Sequence, residues 1–459
     1  VATTAPHRPD SSDGGSTPSA PAPRTPTLVK PLADFFHKEA SAGLLLVVAA
    51  AIALVWANSP WADSYVSFWS HEITLAFDEH TLTLTLREWV NDAAMTVFFF
   101  VAGLEIKREL TLGELRDPRQ AALPIIGAFG GMVVPAVIFA VLNAGGEGAD
   151  GWGIPMATDI AIVMGVVALI GSRAPSWLKL FLLALAIVDD MGAILVIAIF
   201  YSEGVSFGWL AFAVAMLGLA ALIRRRIPII GVYVALGALC WFGLHEAHVH
   251  PTLAGVAFGL LAPVIPRRQN KLELDPHLHE DDDPRAAAQL SEQVRAGVSI
   301  VEWLSFRLHP FTAFLIVPVF ALANAGVRIP GSEIGEALSS TVTWGVILGL
   351  VVGKTVGISA AVFLAVLAGI GRLPPGVRAV TVLGGAALGG IGFTVSLFVT
   401  ELAFGDTAPG RDARLGVLIA SLIAAAIGTT IVLLGHRGGP APADSARLDA
   451  EPVVTPPGS

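Results

Sequence analysis

Two adjacent acids, Asp189 and Asp190, sit in the middle of an apolar run from Leu180 to Tyr201 (LFLLALAIVDDMGAILVIAIFY). The run is long enough to cross a bilayer, and at roughly 1.5 Å of rise per residue each acid lies about 15 Å from either end. A carboxylate at the middle of a bilayer costs on the order of 3 kcal/mol even on insertion scales, so an intramembrane pair points to an ion or proton site. Neighbours on a helix lie about 100° apart, so the two acids can face different partners. A hard cation such as Na+ takes oxygen ligands. A proton binds the same oxygens, so cation and proton would compete for the pair.

Other ionisable side chains inside apolar segments are Asp92, Asp159 and Lys354. Glu105, His250 and Arg307 fall near segment edges, where snorkelling to water is the ordinary explanation. Asp159 closes the stretch Gly153-Ile154-Pro155-Met156-Ala157-Thr158-Asp159. Its proline, threonine and aspartate suit a point where a helix is interrupted. A second interruption is expected at Gly384-Gly385 and Gly389-Gly390-Ile391-Gly392-Phe393-Thr394, where small-residue helix packing is the competing explanation of the glycines.

The composition says what positions these residues. Of 459 residues, 54% are hydrophobic and only 14% charged, with a mean hydropathy of +0.70. This is an all-α polytopic membrane protein. Apolar segments predict about 12 transmembrane helices, near 40–58, 90–105, 121–142, 153–171, 178–201, 208–223, 229–244, 251–265, 310–327, 341–368, 377–400 and 413–435. Most of the 28 lysines and arginines fall in loops on one side, while the other side holds Arg87, Arg328, Arg411 and Arg414. That asymmetry places both termini in the cytoplasm.

The interrupted segments are the fourth and the eleventh, the middle members of the triads three to five and ten to twelve. Seven spans apart means opposite orientation, so the triads read as two inverted three-helix repeats with broken, crossed helices, the arrangement of a transporter's binding site.

Residues 72–87 (EITLAFDEHTLTLTLR) alternate apolar and polar side chains and predict a small extracytoplasmic β-hairpin, a natural homodimer contact. Residues 1–34 are expected to be a disordered cytoplasmic tail and not a cleaved signal peptide. Residues 35–435 form the membrane domain, and 436–459 a second disordered tail. His277, His279, Glu280, Asp281, Asp282 and Asp283 read as a solvated charged loop, for lack of ligand spacing on a rigid element. The single cysteine, Cys240, excludes an intramolecular disulfide and any cysteine-based metal or redox motif. The net charge of -9 lies largely in tails and loops and carries no indication of a nucleic-acid partner.

AGLEIKREL (102–110), PMATDIA (155–161), LAIVDDMGAI (185–194), FALANAGV (320–327), GKTVGIS (353–359) and GGIGFTVS (389–396) resemble, in order, the NhaA family of bacterial Na+/H+ antiporters. The similarity runs from about Phe35 to Gly435. It implies a secondary transporter of the bacterial inner membrane, not an enzyme, with no cofactor and with Na+, Li+ and H+ as its substrates. By resemblance, Asp190 is the principal Na+ or Li+ ligand, Asp189 its partner in proton exchange, and Thr158 an additional ligand. Asp159 and Lys354 match residues that compensate the facing ends of the crossed helices, and Lys354 is a candidate partner of Asp189. Glu105, Arg108 and Glu109 correspond to a cytoplasmic-mouth cluster linked to pH control, and His250 to a histidine discussed in that role. The chain departs from the family where Ser305 stands four residues before His309-Pro310, in place of an acid found in many members.

Three other functions meet the same residues less well. An intramembrane aspartyl protease would need its two acids on separate spans and a Gly-x-Gly-Asp motif. A cation channel would favour rings of identical groups and needs no paired-acid switch. A sodium-coupled symporter of an organic solute is the alternative that the spans and the acid pair also accommodate.

Overall fold

The structure, a computed structural model, describes residues 29–77, 80–116, 118–202, 204–224, 230–264, 299–328 and 334–436. The expected tails lie largely outside these residues, as do the His277–Asp283 cluster and the tip of the hairpin at Asp78 and Glu79. The first helix, Val29–Ala57, starts ahead of the expected boundary at residue 35.

Eight apolar helices are each long enough to cross a membrane: Ala40–Ala57, Leu86–Thr111, Ala121–Leu142, Ala149–Ile170, Ser176–Phe200, Val301–Asn324, Thr341–Leu367 and Ala408–Gly435. A bent pair, Ala379–Leu388 and Phe393–Phe404, is long and apolar enough when taken as one span with a 46° break, and three shorter apolar helices, Phe207–Ile223, Ile230–Glu246 and Thr252–Leu261, lie between the fifth span and Val301. Taken in chain order these are the twelve expected segments. Large apolar side chains face outward over the bundle, with Leu169 and Leu367 at 85% and 82% exposure. Such a surface is stable against lipid and not against water.

Cross-span polar contacts join ends that strict alternation puts on the same face. Glu105 meets His309 and Arg378 meets the Gly435 carbonyl on the face rich in lysine and arginine, hereafter the basic face. Arg87 meets Asp406 and Asn58 meets the Val327 carbonyl on the face that carries the hairpin. The triads three to five and ten to twelve therefore run in opposite senses, each with its interrupted span in the middle.

Two spans start earlier than their apolar stretches. The second begins at Leu86 and not near residue 90 because Thr85 and Glu88 form a reciprocal capping box, which draws Arg87 and Glu88 into the helix. The ninth begins near Val301 because Ser299 and Glu302 form another. Pro310 then sits inside the helix, and a wider π turn, Thr312–Ile316, follows it. The proline had marked a start; it marks an irregular turn.

The hairpin pairs Glu72–Phe77 with His80–Thr85 in antiparallel register, Glu72 opposite Thr85 and Phe77 opposite His80. Thr74 and Thr83 hydrogen-bond across it at 3.0 Å.

Candidate functional site

The fourth span is not a continuous α-helix. Ala149–Met156 is a tighter 3-10 helix, residues 157–159 are not helical, and an α-helix resumes over Ile160–Ile170. Asp159 caps that second piece: its backbone is extended, and its Oδ1 accepts the Ile162 N–H at 3.0 Å. The eleventh span breaks over residues 389–392. A Cβ on Gly390 would stand 2.3 Å from the Leu350 carbonyl oxygen, which cannot give way, and one on Gly392 would meet Ser396 Oγ at 2.3 Å. Close backbone approach accounts for Gly390, whereas Gly384 and Gly385 lie inside the helix Ala379–Leu388 against Val432 and Leu178, so the expected interruption there is absent and small-residue packing accounts for them.

The two breaks meet. The Asp159 N–H donates to the Ile391 carbonyl at 2.6 Å. Thr394, in the first turn after the eleventh-span break, donates its N–H (3.0 Å) and its hydroxyl (2.6 Å) to Asp159 Oδ2. One buried carboxylate thus receives the amino ends of two half-helices, where unpaired N–H groups and helix dipoles favour negative charge.

Asp189 and Asp190 lie on the unbroken fifth span, Ser176–Phe200. Asp189 is fully buried, and its Oδ2 accepts from Thr158 Oγ1 at 2.6 Å and from the Lys354 ammonium. Thr158 Oγ1 also lies 2.8 Å from the Gly389 carbonyl and 2.9 Å from Lys354 Nζ. Having one proton, it can donate to only one of the two oxygens while it accepts from the ammonium. Lys354 is itself fully buried and directly follows a π turn, Gly349–Gly353, in the tenth span. Its polar contacts are with Asp189 and with Thr158, so it joins one acid of the pair to the break of the fourth span.

Asp190 is placed differently. Its Oδ1 is buried with no hydrogen-bond partner, and the residue borders a cavity of about 80 Å³. A single water needs only about 10–15 Å³ of such space, so the cavity has room for several waters or a partly hydrated ion. Thr158, Asp159 and Thr394 line the cavity beside Asp190, and Glu105 and His309 line it toward the basic face. Glu105 Oε1 and His309 Nδ1 are 3.1 Å apart, each side chain about one-third exposed (31% and 29%).

The remaining sequence candidates divide. Arg108 pairs with its neighbour Glu109 at 3.1 Å, and neither lines the cavity. His250 belongs to the hairpin face, far from Glu105 along the bundle: its Nε2 lies 2.6 Å from the Tyr201 carbonyl at the end of the fifth span. Burial lowers the pKa of His250, against the opposing effect of that carbonyl. Tyr201 in turn donates to the Asp150 carbonyl (2.9 Å) and accepts from the Gly153 N–H (3.2 Å), tying His250 to the broken fourth span. Thr394 and His309 were not among the site candidates. Their signals were present, a hydroxyl one turn past a glycine break and a histidine at an irregular helix turn.

The family model described as "Na+/H+ antiporter 1" matches residues 33–432. A protein of Frankia alni named Na(+)/H(+) antiporter NhaA 3 is 45% identical over 435 residues, covering 92% of this chain and 93% of that one. A Rhodopirellula baltica protein named Na(+)/H(+) antiporter NhaA is 45% identical over 425 residues, 88% and 94% of the two chains. A longer relative from Mycobacterium sp. (strain JLS), named Na(+)/H(+) antiporter NhaA 1, is 43% identical over 389 residues, 84% of this chain and 64% of its own length.

Proposed function

Since this chain belongs to the Na+/H+ antiporter 1 family, a family of membrane transporters, we propose that it exchanges Na+ or Li+ for H+ by alternating access at a paired-aspartate midplane site. The observation that carries the reading is the asymmetry of the pair. Asp189 is occupied by Lys354 and Thr158, while Asp190 keeps an unpartnered oxygen beside the cavity.

Charge balance gives the coupling. With both acids ionised and the lysine charged, the group is one negative charge in excess, Asp159 being balanced by the two helix ends it caps. One Na+ neutralises that excess and so does one proton, so the two exclude each other. The empty charged site is the state least able to pass through low dielectric. The Asp190 and Asp189 carboxylates and the Thr158 hydroxyl supply the hard oxygen ligands Na+ takes. Lys354 or Asp189 serves as the exchanged proton carrier beside them.

In this reading the cavity is the cytoplasmic entrance, both termini are cytoplasmic, and the membrane is the bacterial inner membrane. Glu105 and His309 sit where they can gate cation entry, with Arg108 and Glu109 nearby, and His250 reports from the opposite face; together these supply pH regulation. The hairpin at 72–87 joins two copies into a homodimer. No cofactor enters the cycle.

The test is ion-driven pH change in proteoliposomes, with Na+, Li+ and K+ compared across pH in the absence of any organic solute. The reading expects proton movement driven by Na+ or Li+. Proton movement that appears only with an organic substrate would replace it with symport.

A further inference from the structure

Beside the cavity, Phe99 and Phe320 each pack on Phe398, with ring centroids 5.3 and 6.1 Å away. These rings come from the second, ninth and eleventh spans, which also line the cavity. The line of contact between the second span and the eleventh, a seam, reaches the hairpin face where Arg87 meets Asp406.

Four charged side chains close the seam there. Arg87, in the first turn of the second span, lies 2.6 Å from both carboxylate oxygens of Asp406, in the link between the eleventh and twelfth spans. Arg414 of the twelfth span donates to Asp406 (3.1 Å), to Glu401 of the eleventh (2.5 Å) and to the Gly405 carbonyl (3.0 Å). Two positive and two negative groups balance. Asp406 is 68% exposed, whereas Arg87 (16%), Arg414 (7%) and Glu401 (17%) are largely buried. Three of the four belong to the eleventh and twelfth spans and their link. Arg87 alone comes from the opposite wall, and its capping-box start fixes it at the base of the hairpin.

We propose that this network is a latch on the hairpin face, in which Arg87–Asp406 is the contact that releases and Arg414–Glu401 is the fixed half. The proposal rests on the alternating-access reading above. While Arg87 holds Asp406, the second span is tied to the eleventh and twelfth and the seam above Asp190 is shut. An ion pair with one exposed partner can exchange a contact for water and is the easier to break, whereas a pair buried on both sides holds. The strong pair accordingly lies within one wall and the weak pair across the seam.

Labelling tests it without needing exchange. In a Cys240→Ala background, Leu397→Cys places a thiol at a buried position beside Phe398. Vesicles with the hairpin face outward are treated with a membrane-impermeant maleimide. Arg87→Gln and Asp406→Asn are each expected to raise the labelling rate about fivefold, the factor that losing one weak ion pair allows; an unchanged rate in both overturns the latch. As a second arm, Arg87→Cys/Asp406→Cys is bridged with a reducible bis-thiosulfonate. Bridging is expected to lower ion-driven exchange about tenfold, with recovery on reduction, because opening of a gate limits turnover. Exchange that continues in bridged protein also overturns the latch. If labelling responds while the unmodified protein shows no Na+/H+ exchange, the latch stands and the antiport reading falls.

Discussion

Thr394 gives both of its hydrogen-bond donors, the backbone N–H and the hydroxyl, to one oxygen of Asp159. Through that contact the second half of the eleventh span is held to the second half of the fourth. Thr394→Val keeps the N–H and the shape but removes the hydroxyl, leaving a buried carboxylate short of one donor. We predict a loss of about 1–3 kcal/mol in stability and a weaker apparent Na+ affinity, since Asp159 and Thr394 border the cavity with Asp190. Thermal unfolding in detergent and the Na+ dependence of exchange check it; an unaltered melting temperature would count against the contact.

Asp190→Asn should abolish exchange while the protein inserts and unfolds as before. The side chain keeps its size, and its Oδ1 had no partner to lose. Near-normal antiport by the purified variant contradicts the role given to this acid.

Lys354→Ala should be costly to the fold. It strands Asp189 in a fully buried position, and breaking one side of a buried pair typically costs about 3–5 kcal/mol. The double variant Lys354→Ala/Asp189→Asn should recover part of that loss because no unpaired charge remains. A melting temperature equal to wild type in the single variant would show that the pair does not support the fold.

The Arg87 and Arg414 guanidinia hold the Asp406 carboxyl below its usual range, although burial alone would raise it. A carboxyl with a depressed folded-state pKa adds stability above its unfolded value, near 3.9, and loses it as pH falls through the folded value. Asp406→Asn should therefore be less stable than wild type at neutral pH, by no more than about 1 kcal/mol for so exposed a group. The gap should close as pH falls below about 4. A gap that is constant from pH 7 to pH 3 would locate the effect elsewhere.

Replacing residues 73–84 by a short glycine-serine linker keeps the Thr85 cap and Arg87 while deleting most of the hairpin. We expect weaker dimers and intact exchange. Cross-linking yields equal to wild type would remove the hairpin from the interface.

Much of the candidate site was legible because charge inside an apolar run is a one-dimensional signal. Asp189, Asp190, Asp159 and Lys354 stand out without any knowledge of contacts, and the breaks announce themselves through Pro155 and the glycines before Thr394. What was hidden depends on pairing across the chain. Which acid Lys354 would take was left to resemblance, and the Arg87–Asp406 contact joins residues 319 positions apart. The starts of the second and ninth spans were misplaced for a related reason. Capping boxes bring polar residues into a helix, and a proline past the first turn can be absorbed by a π turn, neither of which hydropathy registers.

The central claim is that Na+ and H+ compete at the aspartate pair through Asp190. Its most direct test is proton release on adding Na+ to lightly buffered purified protein, wild type beside Asp190→Asn, with K+ as the control ion. The account predicts release from wild type with Na+ or Li+, little with K+, and none from Asp190→Asn. Equal Na+-driven release from the variant would contradict it.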